Sequence, residues 1–219
     1  MSRDVRPMPA AADPALLARC AGIATASLGH WRLWGLCDPR IRMLGKGGRV
    51  VGVAVTLALP GPDGALLHDT LGLLRPGDIL AIDRLSDTMH ACVGGIVARA
   101  ALARGAAAIV VDGPVADLDE IGDLGLPIWG HGPTSRTTRR LGLGGRFNAP
   151  VSLGGAVVEP GDILICDGDG VAAIGRHEAA DVLARAVERD AREAAILAAL
   201  GDGRTLAEIL PPALSDRAA

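Results

Sequence analysis

The chain has 219 residues, of which 49% are apolar and 21% charged, and its formal net charge is −3 at pH 7. This composition is too apolar for a disordered chain, and it provides no overall positive charge for binding nucleic acid. Four widely spaced cysteines argue against a disulfide scaffold or a zinc site, and no apolar run is long enough to span a bilayer. We therefore expect a cytoplasmic protein whose partners include neither nucleic acid nor membrane.

The N-terminal residues 1–13 are rich in Pro and Ala and predict a flexible arm. Residues 14–219 then predict one domain with a C-terminal helical extension. A first helix is expected over 14–31, because Asp13 is a suitable N-cap and Pro14 suits the first helical turn.

Two segments of nearly the same sequence predict strands that begin at similar turns: LRPGDILAID at 74–83 and VEPGDILICD at 158–167. A Val-rich strand over 49–57 and helical spacing over 66–74 precede the first of them. In each copy, Pro and Gly supply the turn and a short apolar run follows.

A strand–helix–strand unit is predicted over 79–112, with its helix over 88–104 and its second strand over 106–112. Gly105 is a suitable left-handed C-cap for that helix. Such a unit implies neighbouring parallel strands.

The second half of the chain has a different sequence pattern from the strand–helix–strand unit. It predicts a short strand at 127–129, a short helix or turn at 135–142, and several short strands with Gly-rich turns at 148–175. A long amphipathic helix over 177–200 and a shorter one from Thr205 complete an α/β fold with additional antiparallel strands.

Polar residues follow the predicted parallel strands, where ligands bind in such folds. They are Asp83-Arg84 after one strand and Asp112 to Asp117 after the next, with Gly94-Gly95 between them. The two glycines either expose backbone amides to an anion or lie in the loop that enters the helix.

Asp117 has two interpretations that the residues alone leave open. Its side chain is suitable as the N-cap of a short helix, LDEIGDL. It is equally suitable as an oxygen ligand of Mg²⁺, which usually binds one or two carboxylates and keeps several waters.

Five segments in order resemble one family: GRVVGVAVTL, LLHDTL, RPGDILAID, ARAALARGAAAIVVDG and FNAPVSLGGAVVEPGDILICDGDGV. From about residue 23 to residue 210 the chain resembles the RraA-like family. That family includes regulators of ribonuclease E activity and metal-dependent 4-hydroxy-4-methyl-2-oxoglutarate aldolases. The resemblance implies a three-layer β/β/α sandwich resembling the swivelling phosphohistidine domain. It also implies a homotrimer or hexamer with sites at subunit interfaces.

The activity that the resemblance implies is that of a divalent-metal-dependent lyase. Its substrate is a pyruvyl-containing 2-oxo acid, such as a 4-hydroxy-2-oxo acid or oxaloacetate, and Mg²⁺ or Mn²⁺ stabilises the pyruvate enolate. Asp117 is the implied metal ligand, and Glu193 on the C-terminal helix is the candidate for an acid that holds a metal-bound water in a neighbouring subunit. The implied substrate-binding turn consists of Gly94, Gly95, Ile96 and Val97.

Departures from the family pattern weaken this implication, and one of them is Gly64, which stands where an Asn is expected ahead of His68. Ala116 stands where the family has an arginine that binds substrate, and Gly95 stands where an acidic residue is common. We expect Arg84 to supply the missing cation as a catalytic residue. The alternative is a divergent or non-catalytic member that acts as a binding or regulatory protein, like the ribonuclease E inhibitors.

Overall fold

The computed structural model describes residues 2–45 and 47–210. The helices are α1 (Pro14–Cys20), α2 (Thr25–Gly29), α3 (Ala65–Thr70), α4 (Gly95–Ala103), α5 (Leu118–Leu124), α6 (Ala179–Gly201) and α7 (Leu206–Ile209), and a 3₁₀ turn, Leu71–Leu73, follows α3. The strands are β1 (Arg3–Val5), β2 (Arg42–Leu44), β3 (Val50–Ala58), β4 (Asp78–Asp83), β5 (Ala108–Asp112), β6 (Ile128–Gly130), β7 (Gly145–Phe147), β8 (Val151–Leu153), β9 (Ala156–Val158), β10 (Ile163–Cys166) and β11 (Val171–Ile174).

Within these ranges, nine strands form one mixed sheet, and β8 and β9 form a separate antiparallel pair. Strands β3 to β6 run parallel at the centre of the large sheet. Strand β3 is long enough to have two neighbours on its other side, because β10 pairs with its first half and β7 with its end. Strand β10 continues into β11 as an antiparallel hairpin, within the region where short strands with Gly-rich turns are predicted.

The large sheet is the middle layer of the predicted three-layer β/β/α sandwich. Alternate residues of a strand point to opposite faces, and β4 shows the result. Leu80 and Ile82 belong to a core shared with helices α3, α4 and α5. Ile79 and Ala81 belong to a second core shared with Val151 of β8. The α/β sandwich with a C-terminal helix is therefore confirmed.

The strand–helix–strand unit has the predicted order, with β4 and β5 parallel and adjacent. Its helix α4 begins at Gly95 rather than at residue 88, and Gly94 is its N-cap. The two glycines therefore lie at the start of the helix, as its N-cap and its first residue, and not in its interior. Both predicted Pro-Gly turns are also present, with left-handed φ values of +84° at Gly77 and +96° at Gly161.

Two local predictions need correction. The single helix expected over 14–31 is two helices, and the break contains Gly22, a residue with low helix propensity. The first of these helices, α1, starts as predicted, since the Asp13 carboxylate accepts the Ala15 N–H at 2.9 Å. The segment 135–142 is neither helix nor turn, and Thr137 and Arg139 form isolated β-bridges with neighbouring segments.

The N-terminal residues are also more ordered than the predicted arm over 1–13. Strand β1 pairs in parallel with β7, and the Arg75 guanidinium donates to the Pro9 carbonyl at 2.8 Å. Met1 lies outside the described residues, as do residues 211–219 of the predicted domain over 14–219.

The chain divides into two compact units, one ending at Ala179 and the other beginning at Ala180. The second unit contains nearly all of α6, which confirms the predicted long helix, and the short α7. Thr205 and Glu208 form a capping box at the start of α7. Across the described ranges, every helix is too short or too polar to cross a membrane.

Candidate active site at the start of helix α4

Asp117 occupies the N-cap position of α5 but does not cap that helix. Its backbone is left-handed, with φ 56° and ψ 41°, and its side chain makes no cap hydrogen bond to α5. The carboxylate turns towards α4 instead, where Oδ2 accepts the Gly95 N–H at 3.0 Å. The capping interpretation is therefore wrong for α5, and the carboxylate meets the positive N-terminal end of α4.

The two glycines allow carboxylates to approach the backbone closely. A Cβ atom on Gly94 would lie 2.7 Å from Oδ2 of Asp117. A Cβ atom on Gly95 would overlap the carboxylate of Glu120, in the first turn of α5. Gly94 has an extended backbone that any residue adopts. The need for glycine at these positions is therefore one of space rather than of backbone strain.

Glu120 places a carboxylate where a side chain at position 95 would project. A second carboxylate therefore lies beside the glycine turn, and it comes from α5. Arg99, four residues after Gly95 on α4, donates from Nε to Oε1 of Glu120 at 2.9 Å. Both side chains are exposed, at 59% for Arg99 and 44% for Glu120. Arg99 therefore brings a solvent-accessible cation to the edge of the site.

The first turn of α4 also presents backbone donors. The first hydrogen bond within the helix runs from Ala98 N–H to the Gly94 carbonyl, at 2.9 Å. The amides of Gly95, Ile96 and Val97 therefore lack partners in the helix, as in the first turn of any α-helix. Asp117 accepts one of them, and Ile96 is 85% exposed. Amides in this position, with the helix dipole behind them, favour an anionic ligand.

The donor set is compatible with a hydrated Mg²⁺ or Mn²⁺ ion. In the part of the chain that the structure describes, no group of three or more His, Cys, Asp or Glu side chains could enclose a metal. Asp117, with Glu120 beside it, offers one or two carboxylates instead. Mg²⁺ is usually bound by one or two carboxylates and several waters, so these residues fit that ion without a protein cage.

Arg84, the predicted substitute for the family arginine, is fully buried. Its Nη2 donates to the Gly61 carbonyl and to Oδ2 of Asp87, the latter at 3.2 Å. Among the described residues, Nε and Nη1 have no hydrogen-bond partner. Nearby Cys92 supplies no anion, because burial raises the pKa of its thiol to about 11 against the opposing charge of Arg84. In this arrangement Arg84 presents no nitrogen to a ligand in solvent.

The remaining predicted site residues lie in two places. Ala116 is buried, and its Cβ is 3.7 Å from where a Cβ on Gly94 would lie, so position 116 adjoins the glycine turn. Glu193 lies on α6 in the second unit, with an exposed side chain. Its proposed role in a neighbouring subunit stays a prediction.

Two histidine–carboxylate pairs, which the sequence analysis did not identify, also lie after the parallel strands. His90 Nδ1 is 3.0 Å from Oδ2 of Asp87, and His131 Nε2 is 2.8 Å from Oδ1 of Asp112. The other carboxylate oxygen of Asp112 accepts the Gly154 N–H at 2.8 Å. The pairing of His131 with Asp112 could have been predicted from strand order. His131 directly follows β6, which runs parallel to β5 and ends at the same sheet edge.

The fold and this site together define an α/β sandwich with a carboxylate and a glycine turn at the carboxyl edge of its parallel strands. The sequence profile of the RraA-like family, described as Aldolase/RraA, matches residues 29–173. The chain therefore belongs to the RraA-like family.

Individual relatives agree with this assignment. A protein of Halalkalibacterium halodurans, provisionally named a 4-hydroxy-4-methyl-2-oxoglutarate aldolase, is 32% identical over 162 residues, which cover 74% of this chain and 77% of that protein. The crystal structure of Streptomyces coelicolor RraAS2, described as an unusual member of the RNase ES inhibitor RraA protein family, has a TM-score of 0.74 at 26% identity and covers 83% of this chain and 96% of its own. An uncharacterised protein of Pseudomonas syringae shares the fold, with a TM-score of 0.76 at 24% identity over 93% of this chain and 97% of its own.

Proposed function

We propose that this protein is a divalent-metal-dependent lyase that cleaves or decarboxylates a pyruvyl-containing 2-oxo acid. The observation that carries the proposal is the position of Asp117, whose carboxylate leaves its own helix α5 and lies over the glycine turn of α4. The relative provisionally named an aldolase supports the same reaction class.

Different groups of the chain bind the substrate carboxylate and the cation. The amides of Ile96 and Val97, at the positive end of α4, bind the substrate carboxylate. Asp117 holds the cation, Mg²⁺ or Mn²⁺, and its hydrogen bond from Gly95 fixes one carboxylate oxygen. The bound cation supplies Lewis-acid stabilisation of the negative charge that develops on the 2-oxo group.

Arg99 is our choice for the cation that replaces the family arginine. Side chains on a helix lean towards its N-terminus, so Arg99 extends over the first turn of α4. Its contact with Glu120 holds it beside Gly95. Arg84 acts instead as a positioning residue, because its guanidinium is buried against Asp87.

The decisive experiment measures pyruvate release from a panel of 4-hydroxy-2-oxo acids and oxaloacetate, with and without EDTA. We expect turnover of at least one substrate that EDTA abolishes and added Mg²⁺ or Mn²⁺ restores. Absence of metal-dependent release across the panel would count against a lyase of this class.

A second function is favoured by Ala116, since loss of the substrate-binding arginine is the expected mark of a member that no longer acts on the family substrate. The structural likeness of this chain to RraAS2 is compatible with a regulatory role towards a ribonuclease. A pull-down with purified ribonuclease E tests this directly. Specific retention of the ribonuclease by a protein without lyase activity would favour this second function.

We also propose a homotrimer or hexamer in which Glu193 of one subunit faces the Asp117 site of another. Light scattering coupled to size exclusion measures the assembly. Mixing D117N and E193Q subunits then tests sharing of the site, because a shared site regains part of the activity when the two inactive variants exchange subunits.

A further inference from the structure

We propose that a second cavity, separate from the Asp117 site, binds a small oxyanion such as phosphate or a dicarboxylate. The cavity has a volume of about 480 Å³. Its lining includes the side chains of His90, Arg136 and Arg139, and two hydroxyl groups, those of Ser135 and Thr137, lie beside them. These side chains provide only cationic or neutral hydrogen-bonding groups, which is the chemistry that recognises an oxyanion.

The two arginines of the cavity are not neutralised by the protein. Among the described residues, neither Arg136 nor Arg139 has a carboxylate within ion-pair distance. Arg140, the residue after Arg139, does have an ion-pair partner, because its Nη2 lies 3.0 Å from Oδ1 of Asp69. The cavity therefore concentrates positive charge in a protein whose net charge is −3. Such local charge attracts an anionic ligand.

The third nitrogen-bearing side chain of the lining, His90, is held by a chain of contacts that ends at a buried arginine. Its Nδ1 faces the carboxylate of Asp87, which also accepts the Met89 N–H at 2.9 Å and lies 3.2 Å from Nη2 of the buried Arg84. Burial alone would raise the pKa of Asp87, but these donors and the charge of Arg84 outweigh it and lower that pKa. The ionised carboxylate fixes Nδ1 as the donor to Asp87. Nε2 is then the ring nitrogen that remains for a ligand, and it donates to an oxyanion when the ring carries both protons.

The backbone that carries the arginines is fixed before any ligand binds. The Arg139 N–H donates to the Pro62 carbonyl at 2.8 Å, and the Ala91 N–H donates to the Arg136 carbonyl at 2.8 Å. The segment is thus held on both sides, by the loop before α3 and by the approach to α4. A preorganised wall loses less conformational entropy when it binds a ligand.

The cavity does not depend on the proposed lyase function. Its lining includes neither the glycine turn nor Asp117, and it needs no metal ion. Failure of one proposal therefore leaves the other standing.

The test is calorimetric titration of the full-length, metal-free protein with inorganic phosphate and, separately, with malonate. We expect saturable binding of at least one of them and a loss of affinity of at least about tenfold in R136A and in R139A, the size expected for a charged hydrogen bond. The matched control is R140A. It also removes one positive charge from the segment, but the arginine that it removes is already paired with Asp69. We expect its affinity to stay close to that of the wild type.

Two further variants localise the bound anion. D87N should weaken binding, because His90 loses its carboxylate partner, and NMR spectra should show that phosphate shifts the His90 ring signals in the wild type. D117N should leave binding unchanged. No saturable binding of either anion, an equal loss in R140A and R139A, or a loss in D117N would each overturn the proposal.

Discussion

Gly95 and Asp117 are 22 positions apart in the chain, yet the amide of one donates to the carboxylate of the other at 3.0 Å. The contact joins the start of α4 to the start of α5. It places a negative charge, with one oxygen fixed by a backbone donor, at the carboxyl edge of the parallel strands, where α/β proteins bind ligands.

Replacement of Asp117 by Asn should separate the metal role from the structural one. The amide oxygen of Asn still accepts the Gly95 N–H, so the fold should persist, but the charge that attracts the cation is gone. Mn²⁺ at about 100 times its dissociation constant should stabilise the wild type by about 2.7 kcal/mol, and D117N should show no such gain. Thermal melting with and without Mn²⁺ measures this. D119N, at an exposed acid two residues later, is the control and should keep the gain.

Replacement of Gly94 by Ala should weaken metal binding without disrupting the backbone. The new methyl group would lie 2.7 Å from the Asp117 carboxylate, which must rotate away and lose its charged hydrogen bond, worth about 1.5–3 kcal/mol. G122A on α5 is the control, since a Cβ there meets nothing within 4 Å. It should raise the free energy of unfolding by up to about 1 kcal/mol and leave Mn²⁺ affinity unchanged. Equal Mn²⁺ affinity in G94A and the wild type would contradict the assignment of Asp117.

Removal of Arg99 should lower activity and leave metal binding intact. We expect R99A to reduce kcat/KM by about 10²–10³, the usual loss for one preorganised charged donor. The double variant R99A/A116R should recover part of that loss, because it restores an arginine at the position that the family uses. R104A, at the end of the same helix with its guanidinium on the Leu74 carbonyl, should be as active as the wild type. Full activity in R99A would exclude Arg99 as the replacement cation.

Replacement of Arg84 by Met should destabilise the protein rather than remove activity selectively. The change leaves the Asp87 carboxylate, whose side chain is 10% exposed, without its buried cation. Breaking a buried pair from one side costs about 3–5 kcal/mol, and R84M/D87N should recover some of it. Urea denaturation measures the difference. An R84M protein of normal stability that has lost turnover would instead support Arg84 as the catalytic cation.

Asp63 should contribute to stability at neutral pH and lose that contribution in acid. Burial alone would raise its pKa, but N–H donors from Ala65, Leu141 and Leu143 lower it. A carboxyl group whose folded pKa is below its unfolded value of about 3.9 stabilises the fold above that pH, and the contribution disappears as pH falls through the folded pKa. D63N should therefore be less stable than the wild type at pH 7, by about 1–3 kcal/mol. The gap should shrink below about pH 4, which melting curves across this range would show.

Residues with strong local preferences could be predicted from the sequence. The Pro-Gly turns before β4 and β10 and the Asp13 cap of α1 depend on neighbouring residues only, and all are present. The break at Gly22 and the extended segment 135–142 were not predicted. In the second case the conformation depends on backbone contacts with residues far away in the sequence.

At the candidate site, too, some features could be predicted from the sequence and others depend on contacts between distant residues. The order of strands and motifs is sufficient to identify the family, and it points to Asp117 and the glycine turn. The sequence could not show that Asp117 accepts an amide of α4 instead of capping α5, that Glu120 occupies the space beside Gly95, or that Arg84 is buried.

The sequence alone therefore determined the α/β class and the family, because periodicity, turn chemistry and motif order are properties of the chain itself. The resemblance to that family then implied the sandwich and pointed to the glycine turn and Asp117. Only the tertiary structure decided which carboxylate meets which amide and which arginine reaches solvent. Those outcomes depend on side-chain direction and burial, which are set when α4 and α5 pack side by side on the sheet.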